Sequence, residues 1–377
     1  MSIELPQLFG SVYHGVSVMT LPDILGHMGR KQLLLSAIIL LAGIAGAVAL
    51  ILPIYDSVPG ETKIAKSLSD CPDSDYRCYA AYYATLTYDK GPAAAFADIK
   101  QAYTTDSYVK SECHQLVHII GRTALKKYGS LASAYARGDN FCWSGYQHGA
   151  TEQAISEVGG DRIKQRANEI CAELSRTSKY SFDHYNCVHG LGHGFMAIDN
   201  YDLFKALRTC DRITDGWERS SCHGGVFMEN VMVATRGGGT SKYLRPDDLL
   251  YPCDAVDARY KDQCYLMQSS YILQQNGYDF ADAFRLCAAA DSGYQNTCYQ
   301  SIGRDASGST NSNVVRTKEN CDHAPDDNAK RNCMVGAAKD FVSYYHNDVQ
   351  AREFCKAFGG QIETACYDTV REYYKTF

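Results

Sequence analysis

From residue 171 onward the cysteines fall into two interleaved ladders, and this spacing constrains the fold more than any other feature of the chain. The first ladder is Cys171, Cys210, Cys253, Cys287, Cys321 and Cys355, with steps of 39, 43, 34, 34 and 34 residues. The second is Cys187, Cys222, Cys264, Cys298, Cys333 and Cys366, with steps of 35, 42, 34, 35 and 33. Within a pair the separation is 16 at the first rung and 11 or 12 at the others. A fixed period near 34 residues is the signature of stacked helical hairpins, each unable to bury its apolar face alone. The two longest steps both contain the Gly-rich insertion Thr235–Arg245, which reads as a loop.

One repeat shows the unit. In Asp279–Cys287 the apolar residues Phe280, Ala283, Phe284 and Cys287 recur at helical spacing. Asp291 and Gly293 then mark a turn, and Asn296 or Thr297 is placed to cap a second helix beginning near Cys298. The first cysteine closes one helix and the second opens the next, so a disulfide between them staples the hairpin. Such a bridge typically contributes about 2–4 kcal/mol. The expected fold is all-α, an αα-hairpin solenoid of about six repeats over residues 171–377, preceded by a looser helical region at 71–170. Period and two-helix unit resemble tetratricopeptide and Sel1-like solenoids in architecture, although the Trp, Leu-Gly and Tyr signature of a tetratricopeptide repeat is missing. Among Cys71, Cys78, Cys113 and Cys142 three pairings are open.

Topology follows from one further stretch. Leu33–Ile54 is 22 residues without a charge, enough at about 1.5 Å per residue to cross a hydrocarbon core of roughly 30 Å. It lies too far from the N-terminus and is too long for a cleaved signal peptide, so it reads as a signal anchor. Arg30 and Lys31 precede it and Asp56 and Glu61 follow, which places residues 1–32 in the cytoplasm and 55–377 outside, with 55–70 as a linker. All 16 cysteines fall on the outer side, as disulfide chemistry in an oxidising compartment requires. The chain lacks CxxC, CxxCH and any Asn-x-Ser/Thr sequon, so neither a thioredoxin-like pair nor covalent haem is expected, and no nucleotide motif is read either. A net charge of −6 argues against nucleic acid as a partner.

Seven of the 11 histidines lie between residues 114 and 223. Cys142-Trp-Ser-Gly145-Tyr-Gln-His148-Gly149 and Cys187-Val-His189-Gly190-Leu-Gly-His193-Gly194 share the pattern C-x-x-G-x-x-H-G, whereas the run from Cys222 and His223 through Gly225 carries Met228 and Glu229 at the last two positions. Later repeats place Ser270, Arg304, Lys339 and Glu372 where the histidine stood, so the scaffold needs the cysteines and not the imidazoles. His114 with His118 and His189 with His193 are i,i+4 pairs, as are His148 with Glu152 and Met228 with Met232, and each pair faces one side of its helix. Two imidazoles one turn apart can share a metal, with a further ligand from the neighbouring helix. Gly145, Gly190 and Gly225 mark places of close helix approach.

These residues define a candidate site for a transition metal, zinc, copper or iron: His114, His118, His148, His189, His193 and His223, with Glu152, Met228 and Glu229 as weaker ligands. Methionine in the set tilts the choice to copper. A zinc site with an open position would make Glu152 a candidate base in hydrolysis, although no HExxH, HxxEH or Ser-His-Asp signature accompanies it. The competing reading is that the histidines are buried polar residues bonded within the helix stack, with Glu152 and Glu229 on solvated faces. His184, His323 and His346 read as surface residues, and Ser307–Asn313 as a flexible loop. Solenoids also present long binding surfaces, so a protein partner is expected, with Tyr260, Tyr265, Tyr271, Tyr278, Tyr294 and Tyr299 as contact residues. A third reading is a subunit of a membrane complex, in which Gly43 and Gly46 pack the span against others.

Overall fold

A short helix capped by an Asp or Asn side chain opens three of the later hairpins. Asp279 accepts a hydrogen bond from the Asp282 amide at the start of Phe280–Ala288, and Asp202 and Asn313 do the same for Lys205 and Arg316 in their helices. Phe280, Ala283, Phe284 and Cys287 form the buried stripe that the sequence spacing predicts, each large side chain stabilising the hairpin by about 1.5–3 kcal/mol when fully buried. The following helix begins at Gln295 behind Tyr294, three residues before Cys298, so neither Asn296 nor Thr297 is its cap.

The computed structural model describes residues 65–376 apart from 73, 160, 161, 163, 164, 176–180 and 234–240. The stretch read as a membrane span, Leu33–Ile54, lies outside the described residues; among those described, no helix is long and apolar enough to cross a membrane. The described residues contain fifteen helices and no strand. In chain order they are α1 (Tyr76–Lys90), α2 (Pro92–Thr105), α3 (Ser107–Tyr128), α4 (Leu131–Tyr135), α5 (Gly145–Val158), α6 (Phe182–Ile198), α7 (Leu203–Cys210) and α8 (Gly216–Val233). There follow α9 (Ala258–Gln275), α10 (Phe280–Ala288), α11 (Gln295–Gly308), α12 (Val314–Cys321), α13 (Asp327–Tyr345), α14 (Val349–Lys356) and α15 (Gly360–Tyr374). The longer helices pack in series, α1 on α3, then α5, α6, α8, α9, α11, α13 and α15. The short helices α2, α4, α7, α10, α12 and α14 each touch the two long helices that flank them.

All 16 cysteines are paired. The six bridges from Cys171–Cys187 to Cys355–Cys366 are those the ladder spacing implies. Four of them, at Cys210–Cys222, Cys287–Cys298, Cys321–Cys333 and Cys355–Cys366, join a short helix to the long one after it. The pairing left open by the sequence resolves as Cys71–Cys78 and Cys113–Cys142.

The series of helices also meets itself. Tyr103 donates to Asn311 Oδ1 at 3.2 Å, and Asn140 Nδ2 donates to the Tyr344 carbonyl at 3.3 Å. Trp143 lies over Gly308 so closely that a Cβ there would come within 2.5 Å of the indole nitrogen. Phe182, at the start of α6, stacks on His346 at the end of α13 with ring centroids 4.3 Å apart. Ser307–Asn313 is therefore not a free loop: Ser307 belongs to α11, and Thr310 and Ser312 are buried where this seam closes. The tyrosines expected to line a contact surface mostly serve packing instead. Tyr260, Tyr265, Tyr271 and Tyr299 are buried and Tyr294 is half-buried against the core, while Tyr278 alone of the six is open to solvent, at 59% exposure.

His346 is half-buried at the seam and not a surface residue, and burial lowers its pKa to about 4 from the ordinary 6.5. Between those two values the unfolded chain takes up a proton that the folded chain refuses, so stability is lost as pH falls from 6.5 toward 4. His346→Asn keeps a residue type that tolerates the left-handed backbone there (φ 52°). It should give a smaller loss of unfolding free energy between pH 7 and pH 4.5 than the parent chain shows in denaturant titrations.

Candidate metal centre

Glycines let the helices that carry the histidines touch backbone to backbone. A Cβ on Gly149 of α5 would sit 2.1 Å from the His118 carbonyl of α3, and one on Gly225 of α8 would sit 1.9 Å from the His189 carbonyl of α6. Gly145 is similarly close to the His114 carbonyl, whereas Gly190 meets only the side chain of Thr151. Helices drawn together in this way place imidazoles from neighbouring long helices within one shell.

His114, His118, His148, His189 and His193 all converge, each no more than 3% exposed. In each of three overlapping sets the donor atoms lie within 4.8 Å of one another: His114, His118 and His148; His148, His189 and His193; and Glu152, His193 and Glu229. Rings from different helices are in contact, with His148 stacked on His193 at 4.7 Å between centroids and 5.0 Å from His189. His118 is 5.8 Å from both His148 and His193.

Several of these rings are oriented from behind. His114 Nδ1 donates to the Cys142 carbonyl at 2.8 Å, which turns its Nε2 toward His118. That carbonyl is aimed by an unusual turn, because Cys142, Trp143 and Ser144 all take left-handed backbone with φ of 55–58°. Such a conformation costs roughly 1–2 kcal/mol per non-glycine residue. The Cys113–Cys142 bridge ties this turn to the residue next to His114. His118 Nδ1 lies 3.1 Å from Glu152 Oε1, and Arg122 grips Glu152 Oε2 through both Nε and Nη2. His193 Nδ1 lies 2.8 Å from Glu229 Oε2, while its Nε2 is buried without a hydrogen-bond partner. Carboxylates or carbonyls behind the distal ring nitrogen are the usual second shell of metal-binding histidines.

Burial lowers the pKa of His118 and lowers His148 and His189 well below 6.5, the crowd of imidazoles around His148 adding to the effect. Burial alone would raise Glu152, but His118 and the Arg122 guanidinium outweigh it and hold the carboxyl well below its ordinary range. Lowered imidazole pKa values at His118, His148 and His189 and an ionised Glu152 are the protonation states that a metal ion requires.

The donor chemistry fits such an ion. His118 Nε2 faces His114 Nε2 at 3.0 Å, and in a neutral His114 the latter carries no proton because the ring donates through Nδ1. A neutral His118 has one N–H, which can serve Glu152 or His114 but not both. Whichever it serves, a lone pair is left against another lone pair or against a carboxylate, inside a dry core where that costs most. A cation bound by both Nε2 atoms removes the conflict and frees the Nδ1 hydrogen for Glu152.

The remaining sequence expectations divide. Glu152 and Glu229 belong to the cluster, their side chains 11% and 3% exposed, so neither lies on a solvated face. Glu152 has both oxygens engaged, which suits orientation of His118 better than service as a free base. Met228 Sδ approaches His189 Nε2 at 3.2 Å. His223 is not part of the cluster: its Nε2 pairs with Asp211 Oδ1 at 3.1 Å and its ring meets Tyr260. Five residues from Met228, it occupies a different strip of α8. His184 is buried rather than superficial, its Nε2 3.1 Å from Glu218 and its ring edge-on to Trp217, while His323 is exposed as expected. Arg122 went unread, although its position four residues after His118 is a usable signal; the backbone carbonyl of Cys142 left none.

No protein-family model, curated protein or solved structure matches the chain.

Gly149→Ala should force α5 off α3 at His118. Overpacking of this kind costs about 1–3 kcal/mol, so its midpoint in a denaturant titration should fall by a corresponding amount. Gly129→Ala is a useful contrast, since its Cβ meets nothing within 4 Å and its strain is only that of a left-handed cap.

Proposed function

We propose that the chain is an extracytoplasmic α-solenoid that holds a transition-metal ion, zinc, copper or iron, among the histidines of its early repeats, and that Leu33–Ile54 anchors it to the membrane. The facing nitrogens of His114 and His118 carry this reading, because two neutral imidazoles in a buried site cannot satisfy each other and Glu152 at once. His148 and His193 supply further donors from the adjoining helices. Complete pairing of the cysteines supports an oxidising compartment, and with it the orientation that puts residues 55–377 outside. Binding of the ion fits the geometry better than hydrolysis, since Glu152 is clamped by Arg122 and Glu229 is engaged by His193. A partner-binding scaffold has less support, because five of the six tyrosines that favoured it pack against the core.

Elemental analysis of the full chain, purified without a histidine tag, tests the proposal. At least one equivalent of zinc, copper or iron is expected, lost in a His114→Ala/His118→Ala double variant. Glu152→Gln keeps the shape but withdraws the charge behind His118, and should weaken binding by about 10–100-fold. A metal-free wild-type protein that also fails to take up any of the three ions would overturn the reading.

A further inference from the structure

The cluster offers more donors than one ion accepts. His114, His118, His148, His189 and His193 bring five imidazoles, and Met228 adds a thioether sulfur, against the roughly four ligands a zinc ion takes. The donors are also spread along the helix series. The His114–His118 pair belongs to α3 and the His189–His193 pair to α6, with His148 of α5 between them, 5.5 Å from His114 and 5.0 Å from His189 between ring centroids.

Both ends follow one plan. At the first, an i,i+4 histidine pair is met by His148 from the next long helix. At the second, an i,i+4 histidine pair is met by Met228 from the next long helix. His148 and Met228 hold the same place in the repeat, six residues after Cys142 and Cys222. In the second set Met228 Sδ is 3.2 Å from His189 Nε2, and Glu229 takes the Nδ1 side of His193, leaving its Nε2 buried and unpartnered.

We infer that His189, His193 and Met228 form a second ion position, distinct from that of His114, His118 and His148, and that it takes soft Cu(I) in preference to zinc. The exchange of one imidazole for a thioether is the physical reason, since thioether sulfur selects Cu(I) while imidazole serves zinc, copper and iron alike. The inference rests on the reading of this cluster as a metal site, and the two can fail separately.

The full chain, untagged and in detergent, is first saturated with zinc and then titrated with Cu(I) under nitrogen. A further equivalent of Cu(I) should bind without releasing the zinc, and X-ray absorption at the copper edge should show sulfur among the nearest neighbours. Met228→Leu should erase the sulfur signal and weaken Cu(I) binding at least about ten-fold while leaving the zinc content unchanged. Met228→His rebuilds a three-nitrogen set and should bind a second zinc instead. A copper edge without sulfur in the wild type, or a Met228→Leu protein that holds Cu(I) as tightly as its parent, overturns the second position. Wild-type protein that binds none of zinc, copper and iron overturns the metal reading as a whole.

Discussion

At four rungs a disulfide that closes a loop of 11 or 12 residues holds the end of a short helix against the long helix after it. A helix of eight or nine residues is marginal in water, and one amphipathic hairpin cannot bury its own face. The covalent tie removes much of the freedom that the hairpin would otherwise regain on opening, at each of these four rungs. With the rungs fixed, the long helices can approach until glycine meets carbonyl, and that approach is what brings side chains of successive repeats into one shell.

Placing five imidazoles in a dry core is unfavourable unless each polar nitrogen finds a partner. For three of the five rings the arrangement places a polar group behind the ring, through the Cys142 carbonyl, Glu152 with Arg122, and Glu229, whereas Nδ1 of His148 and of His189 is buried without a hydrogen-bond partner. It leaves nitrogens on the inner side, including His193 Nε2, for which no protein group substitutes. The same left-handed turn that aims the Cys142 carbonyl at His114 carries Trp143 to its contact over Gly308. The orientation of one metal-facing ring is thus linked to the seam where early and late repeats meet. A backbone strained over three non-glycine residues is held by the Cys113–Cys142 bridge on one side and by this packing on the other.

The repeat and its staples were legible because cysteine spacing survives in the sequence as a count, and so were the histidine pairs, because i,i+4 spacing fixes which side chains share a helix face. What shares a face within a helix is local. Which faces meet is not. His189 and His223 look equivalent as histidines close to a repeat cysteine, yet one joins the cluster and the other pairs with Asp211, because they lie on different strips of helices that pack against different neighbours. His184, His346 and most of the tyrosines read as surface residues for the same reason, their burial depending on contacts made by residues far along the chain.

By itself, then, the amino-acid order determined the all-helical hairpins, the six later bridges and the residue types able to bind a metal, since all of these are set by separations of a few residues to a few tens. Tertiary structure alone decided the pairing of the first four cysteines, the closing seam, and which nitrogen of each ring turns inward. Those depend on where a carbonyl, a carboxylate or a guanidinium arrives from another helix, and hydrogen-bond direction in a buried site is fixed by that arrival rather than by position along the chain.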